Sequence, residues 1–275
     1  MQIERAASQQ TSRQAGRHTY HRGCMSACIL IDMLITVAAS KGGVGKTTLA
    51  YELATALDGV LVDLDWDGGG ATRMWGDNPS SRRSAPLLDA FERRDGAPRT
   101  RSRAGQPALV PSSPDLAASS IPSDVVADCL TSWAEAWAPR CVVVDTHPGA
   151  NELTEGGLLA ADLVVVPVVL AGRELDALET MLGELSAYRV VLVPNMVPAV
   201  PTARLVKRLS VLATQAQVPV LGMISEHRWL RRRIRRRAVV AEPNPGAAVA
   251  KAAAEYRAVA DQVLTFAHRY QEATP

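Results

Sequence analysis

The stretch "SKGGVGKTTLA", Ser40 to Ala50, constrains this 275-residue chain more than any other. A glycine-rich loop ending in Gly-Lys-Thr offers backbone N–H groups to an anion, a lysine to phosphate oxygens and a hydroxyl to magnesium, provided that a strand leads in and a helix leads out. Both flanks are present. "LITVAA" (Leu34 to Ala39) is short, apolar and partly β-branched, as a buried parallel strand should be, and "TTLAYELATAL" puts Leu49, Leu53 and Leu57 on one helical face. The loop therefore falls at a helix N-terminus, where free N–H groups and the helix dipole favour an anion. Ser40 stands where the usual spacing has its first glycine, and Lys41 follows it. Only four of the thirty basic residues are lysine (Lys41, Lys46, Lys207 and Lys251), and two of them lie in this loop, which speaks for compact ammonium groups with a task and against a solvated loop tip.

With 47% hydrophobic and 21% charged residues, the chain can bury the core of one large α/β domain. The net charge of +2 excludes nothing by itself. The four cysteines (Cys24, Cys28, Cys129, Cys141) lack zinc-type spacing, and Cys141 opens an apolar run, so free thiols in a reducing cytosol are expected. Residues 1–32 are polar and without period, which reads as a disordered arm or an over-long start with Met25 and Met33 as alternative initiators. A secretory signal is rejected, because Asp32 interrupts the apolar run and cleavage near Ala39 would remove the strand that holds the loop. No charge-free run is long enough to span a bilayer.

From Leu34 onward, apolar runs ("GVLVDLD", "PALVP", "RCVVVDT", "ADLVVVPVV", "RVVLVPN", "VPVLGMI") alternate with helical patterns around 123–138, 174–187, 202–215 and 247–270. That alternation predicts an α/β fold: a single doubly wound, mostly parallel sheet with helices on both faces, occupying residues 33–275. Residues 77–106, rich in Pro, Ser, Arg and Gly around "LLDAF", read as an exposed insertion.

Ligands of open parallel sheets bind at the carboxyl ends of the strands. "VLVDLD" ends in Asp63 and Asp65, which alternation puts on the same side, and "CVVVDTHPG" carries Asp145. Buried aspartates there need a cation, a proton or a donor, and with a phosphate loop nearby the economical partner is Mg²⁺, held by Asp145 and the Thr47 hydroxyl.

These motifs resemble those of the ParA/MinD superfamily of deviant Walker-A ATPases, most of all its small ParA partition members that lack an N-terminal DNA-reading domain. The likeness runs from about Leu34 to about Phe266 through "KGGVGKTT", "VLVDLD" with a Gly-rich turn, "VVVDTHPG", "ADLVVVPV", "VLVPN" and "AAEYRAVADQVL". It implies ATP and Mg²⁺ as cofactors and a nucleotide site made of Lys41, Gly42, Gly43, Val44, Gly45, Lys46, Thr47 and Thr48, with Asn195 at the adenine. It also implies catalytic roles for two residues. Lys41 would reach the phosphates of the partner in an ATP-sandwich homodimer, and Asp65 would orient the attacking water. Two departures stand out: "DWDGGGAT" replaces the usual Asp-Pro-Gln-Gly, with Trp66 and Asp67 in place of the pair, so that Asp67 competes in principle with Asp65. His147 stands where proline is commoner.

"RWLRRRIRRR" concentrates seven arginines: Arg228, Arg231, Arg232, Arg233, Arg235, Arg236 and Arg237. Such density calls for an anionic partner, and arginine engages phosphate bidentately, so nucleic acid is expected, with steep salt dependence; the resemblance to small ParA proteins implies nonspecific double-stranded DNA. Arg93, Arg94, Arg99, Arg101 and Arg103 form a second basic patch. The resemblance adds a ParB-like adaptor that stimulates slow hydrolysis, DNA segregation or plasmid partition as the task, and a cytoplasmic, nucleoid-associated location without membrane contact. The rivals are a MinD-like membrane-surface ATPase, a nucleotide-switched scaffold without efficient hydrolysis, and a redox or metabolic relative. The first is disfavoured because the stripe Tyr256, Val259, Ala260, Val263, Ala267 and Tyr270 suits packing on the sheet, and the last because Cys129 and Cys141 fall in a helix and a strand.

Overall fold

The computed structural model describes residues 33–67, 70–77, 86–232 and 237–272, except for the side chains of 231, 232 and 268–272. Six strands, Leu34–Val37 (β1), Val60–Asp63 (β2), Ala108–Val110 (β3), Val142–Asp145 (β4), Leu163–Val168 (β5) and Val190–Pro194 (β6), form one sheet in the order β3-β2-β4-β1-β5-β6. Every neighbouring pair is parallel. The apolar runs obey the two-residue period of a strand. Val60, Val62, Val142, Val144, Val164 and Val166 enter one core, while Leu61, Val143, Val165, Val191 and Val193 enter the other. Because both faces are covered, these strands read as unbroken hydrophobic sequence.

Helices Lys46–Ala56 (α1), Gly70–Trp75 (α2) and Ala247–Glu272 (α8) cover one face. The other is covered by Pro86–Arg93 (α3), Ser123–Trp137 (α4), Glu152–Ala160 (α5), Gly172–Glu184 (α6) and Ala203–Gln215 (α7). Tyr256, Val259, Ala260, Val263 and Ala267 of α8 are buried in the core, as their stripe predicts; the Tyr270 side chain lies outside the described residues.

Three features differ from the sequence reading. The insertion at 77–106 is not wholly exposed: Leu87, Ala90 and Phe91 of α3 are buried, and Phe91 stacks on Trp133 with ring centroids 4.9 Å apart. The run "VPVLGMI" makes no strand. It touches β6 through an isolated bridge between Val220 and Leu192, a second bridge joins Ser225, just past the run, to Val197, and the Gly222 N–H between them donates to Gln262 Oε1 instead of to the ladder. Helix α5 was hidden by its paired glycines. Asn151 caps it by accepting the Thr154 N–H at 2.9 Å, and Gly156 lets it lie against α4, since a Cβ at that position would stand 2.4 Å from Val126 Cβ.

Two carboxylates, Glu52 buried and Glu255 half-buried, secure the backbone on either side of the arginine-rich segment. Before it, Glu255 of α8 accepts from the Ser225 N–H and hydroxyl and pairs with His227 Nε2 at 2.8 Å. Burial alone would raise the Glu255 pKa, but the bonds from Ser225 and His227 hold it below the ordinary value. After it, Glu52 of α1 accepts the N–H groups of Val239 and Val240 at 2.8 and 3.0 Å. Glu52 is 3% exposed, so nothing from solvent replaces it.

Replacing Glu52 with alanine strands both N–H groups and is expected to lower unfolding free energy in urea by about 2–4 kcal/mol. Gly156→Ala is expected to cost about 1–3 kcal/mol in the same measurement, because α4 and α5 must separate.

Candidate functional site

The first parallel strand delivers the chain into the glycine loop, and Gly45 closes it in the left-handed conformation (φ 91°) as the N-cap of α1. No side chain caps that helix, so its first N–H groups remain open to a ligand. Glycine is required at 45 on a second count, because a Cβ there would stand 2.4 Å from Asn195 Nδ2. Lys46, the first residue of α1, is 5% exposed. Burial pulls its pKa down, and Asp145 and Asp65 oppose that pull, so the ammonium faces two carboxylates across the mouth of the loop.

Asp63 and Asp145 end adjacent strands in register, and both are fully buried. Their surroundings differ. Asp63 accepts the N–H groups of Thr72 (2.6 Å) and Asp65 (3.1 Å) and so organises the start of α2; burial raises its pKa to about 6 against those bonds. Asp145 has both oxygens buried, with no hydrogen-bond partner among the described residues. Burial, followed by the charge of Asp63, pushes its pKa well above the usual carboxylate range, while the neighbouring Thr47 hydroxyl and Lys46 restrain it. An unpartnered buried carboxylate beside a hydroxyl, beneath a phosphate-type loop, fits magnesium as its missing partner.

Asp65 joins Asp145, whereas Asp63 turns away to α2. The Oδ2 atoms of Asp65 and Asp145 both lie 3.2 Å from where a Cβ on Gly70 would stand, so the two carboxylates converge on one point. The Asp65 pKa is raised, by burial first, against the Asp67 N–H, His147 and Lys46. Asp67 itself is exposed and contributes its N–H to Asp65 Oδ1 at 3.1 Å.

The remaining loop residues sit where a ligand would meet them: Gly42 and Gly43 are exposed, Thr47 and Thr48 half-buried, and Val44 is buried. Lys41 is elsewhere engaged. Its ammonium donates to the Arg173 carbonyl of α6 at 2.8 Å, within its own subunit. Asn195 is the residue expected at the adenine. It is 3% exposed, its amide donates to the Val44 carbonyl at 2.8 Å and its Oδ1 accepts the Met196 N–H, so here it buttresses the phosphate loop from below.

The basic segment begins with a 3-10 turn at Arg228–Arg232. Arg228 is exposed, with Glu226 at 3.6 Å. Arg237 is half-buried, donates to the Ala241 carbonyl at 3.0 Å and packs against Gly105. Arg233, Arg235 and Arg236 lie outside the described residues, as do the side chains of Arg231 and Arg232. Trp229 packs against Val239, Ala252 and Ala253. In the second patch, Arg101 pairs with Asp77 and the Arg103 guanidinium lies 4.3 Å over the Trp75 ring, while Arg93, Arg94 and Arg99 are exposed. The anchoring residues Glu52 and Glu255 escaped the sequence reading, since a lone glutamate on a helix carries no signal of burial.

The chain is similar to several known proteins. Residues 32–194, more than half of the chain, match the family model described as AAA domain. Over 186 residues the chain is 28% identical to the chromosome partitioning protein ParA of Caulobacter vibrioides, covering 59% of this chain and 66% of that one. Over 175 residues it is 31% identical to the chromosome-partitioning ATPase Soj of Thermus thermophilus, covering 59% and 65%. The chain thus spans slightly less than two thirds of the length of these relatives. A plasmid partition protein of Borrelia burgdorferi bound to AMPPNP shares the fold, with a TM-score of 0.67 at 20% identity over 85% of this chain and 99% of that one. The family match over more than half of the chain, on a six-stranded parallel sheet with a phosphate loop after its first strand, shows the family: the chain belongs to the AAA domain family and has the fold of a P-loop NTPase.

Proposed function

We propose that this protein is a magnesium-dependent partition ATPase: it closes as a homodimer around two ATP molecules, binds DNA nonspecifically in that state, and is released by hydrolysis that a ParB-like adaptor accelerates. The observation that carries the reading is Asp145, a buried carboxylate without a partner, set beside Thr47, Lys46 and Asp65 beneath open helix N–H groups. Lys46 binds the β/γ-phosphate oxygens of its own nucleotide. Thr47 and Asp145 would hold magnesium, which neutralises phosphate charge when bound. Asp65 orients water for in-line attack on the γ-phosphorus; the bond to the ADP oxygen breaks and inorganic phosphate leaves. In the dimer, Lys41 exchanges the Arg173 carbonyl for the partner's phosphates, a cation placed where charge develops. Arg228, which is exposed, and the arginines that follow it to 236 supply the DNA contact, with the backbone before and after the segment held by Glu255 and Glu52.

A MinD-like lipid site has less support, because the apolar stripe of α8 is buried in the core. The reading of a nucleotide-switched scaffold differs in a single respect, the absence of turnover.

DNA co-sedimentation with no nucleotide, ADP, ATP and a nonhydrolysable ATP analogue, at two salt concentrations, tests the function. Binding is expected with ATP and the analogue only and should fall by about 10³-fold or more from low to moderate salt; equal binding in every nucleotide state would refute it. Lys46→Ala is expected to abolish nucleotide binding, and Asp65→Ala to trap the ATP-bound dimer, both read by equilibrium dialysis and gel filtration. Replacing Arg231 to Arg233 with alanine should preserve ATP turnover while abolishing DNA retention.

A further inference from the structure

The two departures from the family pattern meet in space. Trp66 lies directly after Asp65, and His147 two residues after Asp145; their rings stack with centroids 4.1 Å apart and planes 4° from parallel. We propose that Trp66 and His147 form an aromatic clasp that positions Asp65, acting in place of the loop stiffness that proline would supply. The inference rests on the reading of Asp65 as the residue that orients water.

The His147 side of the clasp is rigid. The Thr146 hydroxyl donates to the Val37 carbonyl at 3.0 Å, and the Thr154 hydroxyl donates to the His147 carbonyl at 3.1 Å. The ring is fixed in turn, with Nδ1 at 2.8 Å from the Pro148 carbonyl oxygen. The Trp66 side has less support of its own. Asp65 receives the Asp67 N–H and gives its own N–H to Asp63 Oδ1, and both bonds are local to the β2 loop. Proline stiffens a loop by fixing φ. A stacked pair achieves the same end differently, by fastening a loop without proline to a neighbouring turn that is already held. Trp66 also packs on the core beneath it, so the clasp has a floor. Its effect falls on the one carboxylate whose distance from the reacting phosphorus matters: Asp65 Oδ2 shares its point of convergence with Asp145 Oδ2.

Trp66 and His147 are thus positioning residues, and stacking distinguishes their role from proton transfer. Steady-state ATP turnover and equilibrium ATP binding are to be measured for Trp66→Ala, His147→Ala, Trp66→Phe and His147→Phe in the full chain. The alanine variants should keep KM and ATP affinity and lose kcat on the order of 10- to 100-fold, since a misplacement of about 1 Å is enough for that loss. The phenylalanine variants, which still stack, should recover most of the rate. Unchanged kcat in both alanine variants, or His147→Phe as slow as His147→Ala, would overturn the clasp. Hydrogen exchange of the Asp65 and Asp67 amides supplies a readout independent of turnover. Faster exchange in His147→Ala, reversed in His147→Phe, supports the clasp even if the wild type proves no faster than Lys46→Ala and the hydrolytic reading fails; identical exchange in all variants overturns it.

Discussion

The buried ammonium of Lys46, facing Asp145 and Asp65, is the interaction on which the rest of this molecule depends. An ammonium at 5% exposure is tolerated only with anionic company, and a carboxylate without hydrogen bonds only with a cation close by. Each condition is met by the other, but incompletely, because Asp145 keeps two unpartnered oxygens and a strongly raised pKa. The sheet order explains how they meet. β4 lies between β1 and β2, so the strand that carries Asp145 is flanked by the strand that feeds the phosphate loop and by the strand that feeds Asp65.

The same helix that presents the phosphate loop also reaches the basic segment. From Lys46 to Glu52 is about two turns of α1. Glu52 then holds the backbone just past the arginines, while Glu255 of α8 holds the backbone just before them. Nucleotide site and basic segment therefore share a rigid element instead of a loop. Lys41 shows the opposite design. It is held by one hydrogen bond to a helix carbonyl, in a loop with exposed glycines on its far side, and can exchange that partner for a phosphate at small cost.

Much of this was legible in the sequence because its signals were periodic or local. The strand–loop–helix around Gly45, the valine-rich strands and the terminal aspartates each announce themselves within ten residues. What stayed hidden depended on distant partners. Nothing in "NELTEGGLLA" reveals that Gly156 faces Val126, so α5 was missed. The difference between Asp63 and Asp65 arises from the Thr72 N–H, nine residues on. Nothing near "VLVPN" reveals that the Asn195 amide donates to the Val44 carbonyl, 151 residues away in sequence. Trp66 and His147 were visible singly as departures, but their contact belongs to the order of the sheet, which brings β2 beside β4.

The central claim is that two subunits close around intact ATP because Lys41 crosses to the partner's phosphates. Sedimentation velocity of the wild type and Lys41→Ala with magnesium and either ATP or ADP tests it most directly. The account predicts a wild-type dimer with ATP alone and a Lys41→Ala monomer with both nucleotides, its ATP affinity retained. A Lys41→Ala protein that dimerises on ATP as the wild type does would contradict it.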